Sequence, residues 1–145
     1  HLAQMPKPEP LWLNDGLEMK WETIAAVKAE ATKALETARQ QKIIGHSLDA
    51  SVTVYPPDGL RPLLEEECDA LEEILIISGF SLGKAEEATE AEGRISYESK
   101  EIEGLRITVE AAAGAKCERC WHYRTQIGEN ADHPMLCNRC AEALT

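Results

Sequence analysis

Four cysteines near the end of the 145-residue chain, in the stretch "KCERCWHYRTQIGENADHPMLCNRC", carry the clearest chemical signal. Cys117, Cys120, Cys137 and Cys140 read C-x2-C-x16-C-x2-C. Two residues between cysteines let one tight turn bring both sulfurs to the same ion. A longer loop then returns the second pair. Zinc accepts four thiolates tetrahedrally at ~2.3 Å, so the spacing predicts a structural zinc site. With all four corners filled by protein, no position remains to activate water. A redox use of Cys-x-x-Cys would call for one pair beside a βαβ unit, whereas here there are two pairs in a loop-rich tail.

Zinc with four thiolates carries a formal negative charge. Lys116, Arg119, Arg124 and Arg139 stand beside or near the cysteines and are placed either to offset it or to meet phosphates. Trp121, Ile127, Met135 and Leu136 are the expected mini-core of a unit too small to fold without its metal. Trp121 and Tyr123 are also candidates to stack on unpaired bases. His122 and His133 are weaker candidates for ligands, since four thiols already suffice. Cys68 has acidic neighbours (Glu65, Glu66, Glu67 and Asp69), which disfavour a reactive thiolate and favour a small buried hydrophobe.

The rest of the chain must position this tail. The net charge of −11 is uneven: residues 1–57 sum to −1, residues 58–103 to −10 and residues 104–145 to zero. Both ends are therefore free to meet a polyanion despite the overall acidity. Five cysteines, four of them paired in motifs, point to a metal site in a reducing compartment rather than a disulfide framework. No apolar run approaches a membrane span. The opening "HLAQMPKPEP" has neither a signal-peptide nor a presequence pattern, and it starts on His, so the chain is expected to be a piece of something longer.

"MPKPEP" reads as an extended linker. One long helix should follow, capped by Asn14 or Asp15. Its apolar stripe would be Leu17, Trp21, Ile24, Val27, Ala31, Leu35 and Ala38, with Gly45 as the stop. Lys28 and Arg39, near the edge of that stripe, are either solvated side chains covering core or a basic edge facing RNA. "SLDASVTVY" alternates as a half-buried strand. A short acidic helix should then turn Leu60, Leu63, Leu64 and Leu71 inward. "ILIISGFSL" reads as a central strand, residues 83–92 as a loop or weak helix, and "RISYES" with "GLRITVEA" as a hairpin closing the sheet. The expected fold is α+β: a long helix, a small mostly antiparallel sheet with a second helix, and a zinc-stapled tail.

"KCERCWHY" and "LCNRC" resemble the C-terminal zinc finger of bacterial-type isoleucyl-tRNA synthetases. "ALETARQQKIIGHSLDASVTVY" is similar to that family's helix-to-strand segment, with Lys42, Ile44, Gly45, Ser47, Leu48 and Ala50 at its fixed positions. "EILIISGFSL" resembles the strand after it. The resemblance runs through residues 1–145 in order. It implies residues 1–45 as the end of a helical anticodon-binding domain, 46–112 as a small α+β domain and 113–145 as the zinc finger. By resemblance, the segment binds the anticodon end of tRNA(Ile) in the cytoplasm. There it would position the tRNA for ATP-dependent aminoacylation by catalytic and editing domains elsewhere in the parent chain. The family's His-Ile-Gly-His and Lys-Met-Ser-Lys-Ser signatures are not in this sequence, so no catalytic site is expected here. Arg119, Trp121, Tyr123, Arg124 and Arg139 are the candidate tRNA contacts. Two alternatives stand beside this reading: a DNA-gripping finger like that of formamidopyrimidine-DNA glycosylases, and a zinc-ribbon module for protein interaction.

Overall fold

The computed structural model describes residues 7, 9–84, 87–89 and 91–144. Most of the proline-rich opening and part of the segment read as a loop or weak helix therefore lie outside the described residues.

Helix α1 spans Asp15–Gln40. The Asn14 side chain accepts the Leu17 N–H at 3.0 Å, satisfying one orphan donor at the helix start. Asp15 and Glu18 lie in the first turn and Arg39 in the last, the arrangement the helix dipole favours. Arg39 is ion-paired to Glu36. Ile24, Val27, Ala31, Leu35 and Ala38 are buried as the periodicity requires, and Ala34 and Glu30 join them. Leu17 and Trp21, expected in the same core, are instead 50% and 43% exposed. A 26-residue helix is about 39 Å long, whereas six-residue strands cover only about 20 Å. The first turns of α1 overshoot the sheet.

Gly45 does not stop the helix. Lys42 does, at φ 60°. Its N–H bonds to the Arg39 carbonyl and the Ile43 N–H to the Ala38 carbonyl, both at 3.0 Å, which closes the end as a Schellman turn. Gly45 and His46 donate their N–H groups to the Asp49 carboxylate instead, holding the turn into the next strand.

Strand β1 (Ala50–Tyr55) leads through helices α2 (Arg61–Glu66) and α3 (Cys68–Leu75) to β2 (Gly79–Leu82). Strands β3 (Arg94–Glu98) and β4 (Arg106–Ala111) form the expected hairpin. The sheet order is β2-β1-β4-β3, with β1 parallel to β2 and the other pairings antiparallel. Val52 opposite Val109 and Val54 opposite Ile107 build the buried face. Helix α1 packs across β3 and β4, while α3 packs on β2 and α1. Leu64 and Leu71 point inward and Leu60 and Leu63 pack half-buried beside them, but the single acidic helix expected here is two, broken at Glu67, with Leu60 ahead of the first.

"ILIISGFSL" is not a central strand. Ile74 and Leu75 finish α3, Ile76 caps it at φ 54°, and only Gly79–Leu82 is extended, at the sheet edge. Leu71 and Leu75, four apart, keep the helix turning until both are buried. A parallel partner for β1 also needs a crossover, and α2 and α3 supply it.

Glu30 is 1% exposed, facing β3. It accepts the Tyr97 hydroxyl at 3.0 Å and pairs with Lys33 at 2.5 Å. Burial pushes its carboxyl upward, but the bonds from Lys33, Ser99 and Tyr97 outweigh this and hold it below the usual carboxylate range.

Candidate metal centre

Gly114 opens the tail at φ 95°. A Cβ there would lie 2.3 Å from the Arg124 carbonyl oxygen, so only glycine allows the close return of the chain. Strands β5 (Ala115–Lys116) and β6 (Tyr123–Arg124) then pair antiparallel around the first cysteine turn. Within it, the Trp121 N–H bonds to the Cys117 carbonyl and the Cys117 N–H to the His122 carbonyl, both at 2.9 Å. Trp121 takes φ 67° to complete this turn. The second turn is the start of helix α4 (Asn138–Glu142): the Cys140 N–H bonds to the Cys137 carbonyl at 2.9 Å, putting both thiols on one side. The Glu118 N–H bonds to the Met135 carbonyl and ties the two turns together.

The four sulfurs of Cys117, Cys120, Cys137 and Cys140 lie within 4.8 Å of one another. None of the five cysteines is in a disulfide. A tetrahedral ion with ~2.3 Å bonds needs sulfurs about 3.8 Å apart. Cys120 Sγ and Cys137 Sγ are 3.8 Å apart. Cys117, Cys137 and Cys140 are buried, with Ile127 and Leu136 packed around them. Donor set, spacing and burial all fit structural zinc, which would be held by these four thiolates and would supply a cross-link rather than reactivity. The histidines lie outside this cluster: His122 places Nδ1 3.2 Å from the Cys120 carbonyl oxygen.

The thiols differ electrostatically. Burial raises Cys117, but donation from the backbone N–H groups of Cys120, Cys137 and Arg119 outweighs this and brings its pKa down to about 6. Burial lifts Cys120 to about 12 and also raises Cys137. Away from the cluster, burial and then Asp69 and Glu72 raise Cys68, in keeping with an inert thiol.

The expected mini-core is only half right. Ile127 and Leu136 contribute, but Trp121 is 59% and Met135 51% exposed. The sulfur cluster fills the small interior, so the indole lies on the surface, where the Lys116 Nζ stands 5.4 Å from its ring centroid. Arg119 is exposed and forms none of the ion pairs found among the described residues. Arg124 and Arg139 instead meet α3: Arg124 Nη2 lies 2.5 Å from Glu72 Oε1 and Arg139 Nη1 3.5 Å from Glu73 Oε1. Arg124 also donates to the Ser78 carbonyl. The Tyr123 N–H donates to Ser78 Oγ at 2.7 Å, and that hydroxyl donates to the Leu48 carbonyl at 2.5 Å. Ser78 thus joins the tail, β2 and the turn before β1. Nothing in the "IISG" string marks this serine, because its partners lie 30 and 45 residues away.

Comparison with known proteins supports the same assignment. A family described as "Zinc finger found in FPG and IleRS" matches residues 114–143. An isoleucine–tRNA ligase of Geobacter sulfurreducens (strain ATCC 51573 / DSM 12127 / PCA) is 46% identical over 145 residues, covering 99% of this chain and 15% of the relative. One of Desulfitobacterium hafniense (strain DSM 10664 / DCB-2) is 46% identical over 142 residues, covering 98% and 15%. One of Moorella thermoacetica (strain ATCC 39073 / JCM 9320) is 41% identical over 143 residues, covering 99% and 15%. The chain thus matches, over nearly its whole length, a segment amounting to 15% of isoleucine–tRNA ligases, and within that segment lies the four-cysteine zinc finger found in FPG and IleRS.

Proposed function

We propose that this chain is the C-terminal, tRNA-binding part of a cytoplasmic isoleucine–tRNA ligase. In this reading residues 1–45 end the helical anticodon-binding domain, 46–112 form the small α+β domain and 113–145 the finger. Cys117, Cys120, Cys137 and Cys140 hold zinc, and the clamped tail offers Arg119, Trp121 and Tyr123 to the anticodon end of tRNA(Ile). Arg124 and Arg139, turned toward α3, keep that surface oriented, with any tRNA contact of theirs secondary. Adenylation, transfer and editing belong to parts of the ligase outside this chain. Binding energy gained here speeds distant chemistry only by orienting the acceptor end.

The observation that carries the reading is the near-complete match to isoleucine–tRNA ligases. The finger's family description names FPG as well as IleRS, so the finger alone does not separate tRNA from duplex DNA. The match outside residues 114–143 favours tRNA. No helix among the described residues is long and apolar enough to cross a membrane. The test is titration of tRNA(Ile) and of duplex DNA across a salt series. Preferential tRNA binding with a steep salt slope supports the reading. Preference for duplex DNA, or tRNA binding unaffected by removal of the metal, would overturn it.

A further inference from the structure

The four sulfurs of the finger are not equally reachable. Cys117 is 0%, Cys140 3% and Cys137 5% exposed, whereas Cys120 is only partly buried. They also differ in what they accept. Cys117 Sγ takes the Cys137 N–H at 3.4 Å, and those of Cys120 and Arg119 as well. Cys120 Sγ takes the N–H of His122. A donor on sulfur draws on the lone pairs that a nucleophile uses, and burial keeps reagents out. In the zinc-loaded site all four sulfurs are thiolates, so access and these bonds rank them rather than acidity. Cys120 is the most open nucleophile of the set.

A second sulfur stands ready beside it. Cys120 Sγ and Cys137 Sγ face each other across the two cysteine turns at 3.8 Å. A disulfide needs about 2.05 Å, so an approach of about 1.8 Å would join them. The Glu118 N–H bond to the Met135 carbonyl at 3.2 Å already holds the two turns side by side. Arg119, exposed and outside the ion pairs found among the described residues, brings a positive charge to the same turn.

We infer that Cys120 is an oxidation site, where a peroxide forms a sulfenic acid on which Cys137 closes a disulfide, dismantling the finger. The Cys120 thiolate attacks one peroxide oxygen, the O–O bond breaks and hydroxide leaves. The Cys137 thiolate then attacks the Cys120 sulfur, forming S–S and expelling the second oxygen as hydroxide. Two protons from solvent convert both hydroxides to water. The sulfurs lose two electrons between them and the peroxide gains two. Cys117 and Cys140 alone cannot fill a tetrahedral site, so zinc is released. With only Ile127 and Leu136 beside the sulfurs, the finger is left without a core. This is oxidation of a structural site, reversible by a thiol reductant and zinc, and not thiol–disulfide catalysis. Its consequence rests on the ligase reading above: peroxide would withdraw Arg119, Trp121 and Tyr123 from tRNA without touching the catalytic domains.

The test uses the zinc-loaded chain in a Cys68→Ser background, which leaves the four ligand thiols. Limiting iodoacetamide should label Cys120 before the other three. Hydrogen peroxide should release one zinc per chain to a colorimetric chelator, and peptide mapping should find Cys120 joined to Cys137. Cys120→His, which keeps a ligand, should slow that release by about tenfold or more. Where this variant fails to load zinc, the labelling order and the mapped disulfide still decide. A first label on Cys117, Cys137 or Cys140 overturns the inference. So does a disulfide within either Cys-x-x-Cys pair, or release from Cys120→His at an unchanged rate. Titration with tRNA(Ile) reports separately on the ligase reading: a Cys120–Cys137 disulfide with tRNA binding undiminished keeps the oxidation site and removes that reading.

Discussion

Arg124 Nη2 of the finger lies 2.5 Å from Glu72 Oε1 of α3, and this pair, with Ser78, fixes how the finger sits on the sheet. If it is a strut, Glu72→Gln should mimic Arg124→Gln. Both groups are about a third exposed, so a double-mutant cycle should give a coupling of only about 0.5–1 kcal/mol. Each single change should speed amide exchange in Ala115–Arg124 and weaken tRNA binding without altering its salt slope. A slope that falls by about one for Arg124→Gln, with Glu72→Gln silent, would make Arg124 a phosphate contact instead.

Removing the metal should unfold the finger and spare the body. The sulfur cluster is the finger's interior, with only Ile127 and Leu136 packed beside it, whereas the sheet and α1 share a separate core. Chelation or Cys137→Ser should therefore erase exchange protection over 114–143 while leaving Val52, Val54, Ile107 and Val109 protected. Zinc content by mass spectrometry should fall from one per chain to none. Cooperative loss of both regions together would contradict this.

Trp121 combines an exposed indole with a left-handed backbone, a conformation costing non-glycine residues about 1–2 kcal/mol. Trp121→Gly should therefore leave the finger as stable or raise its stability by up to about 1 kcal/mol. The same change should weaken tRNA binding by about 1–3 kcal/mol if the ring stacks on a base. Thermal melts and tRNA titration separate the two effects.

Ile76 poses the same backbone strain without a functional candidate. It caps α3 at φ 54° and is 57% exposed. Ile76→Gly should stabilise the chain by about 1 kcal/mol in chemical denaturation and leave tRNA binding unchanged.

Glu30 should make stability depend on acid. Its carboxyl is held low by Lys33, Ser99 and Tyr97 despite burial, so its contribution is present at neutral pH and disappears as pH falls through its lowered value. Tyr97→Phe removes one donor to a buried charge and should cost about 1.5–3 kcal/mol at pH 7. The loss should shrink as pH falls through that lowered value. Glu30→Gln should flatten the acid limb of the stability curve.

Local signals were legible where neighbours in sequence are also neighbours in space. Asn14 caps α1 because its partner, Leu17, is three residues away. The alternation of Leu48, Ala50, Val52 and Val54 marked β1, although Ser47–Asp49, read into the same strand, form a 3-10 turn ahead of it, and "RISYES" with "GLRITVEA" marked a hairpin. "ILIISGFSL" misled because β-branched apolar residues suit a strand and a buried helix end alike. Only the packing of Leu71 and Leu75 decides between them. Gly45 looked like a helix stop by residue type, but the Schellman bonds formed three residues earlier, at Lys42.

The sequence by itself determined that four thiols would converge, because two short turns of Cys-x-x-Cys need no distant help to face one point. It determined the long helix and the hairpin for the same local reason. Tertiary structure alone decided that Trp121 would lie outside, that Arg124 would turn to Glu72, and that Leu17 and Trp21 would be bare while Ile24 is buried. Those outcomes depend on how far a rod-like helix outruns a short sheet and on which distant carboxylate comes within reach, and neither distance is written in the spacing of residues.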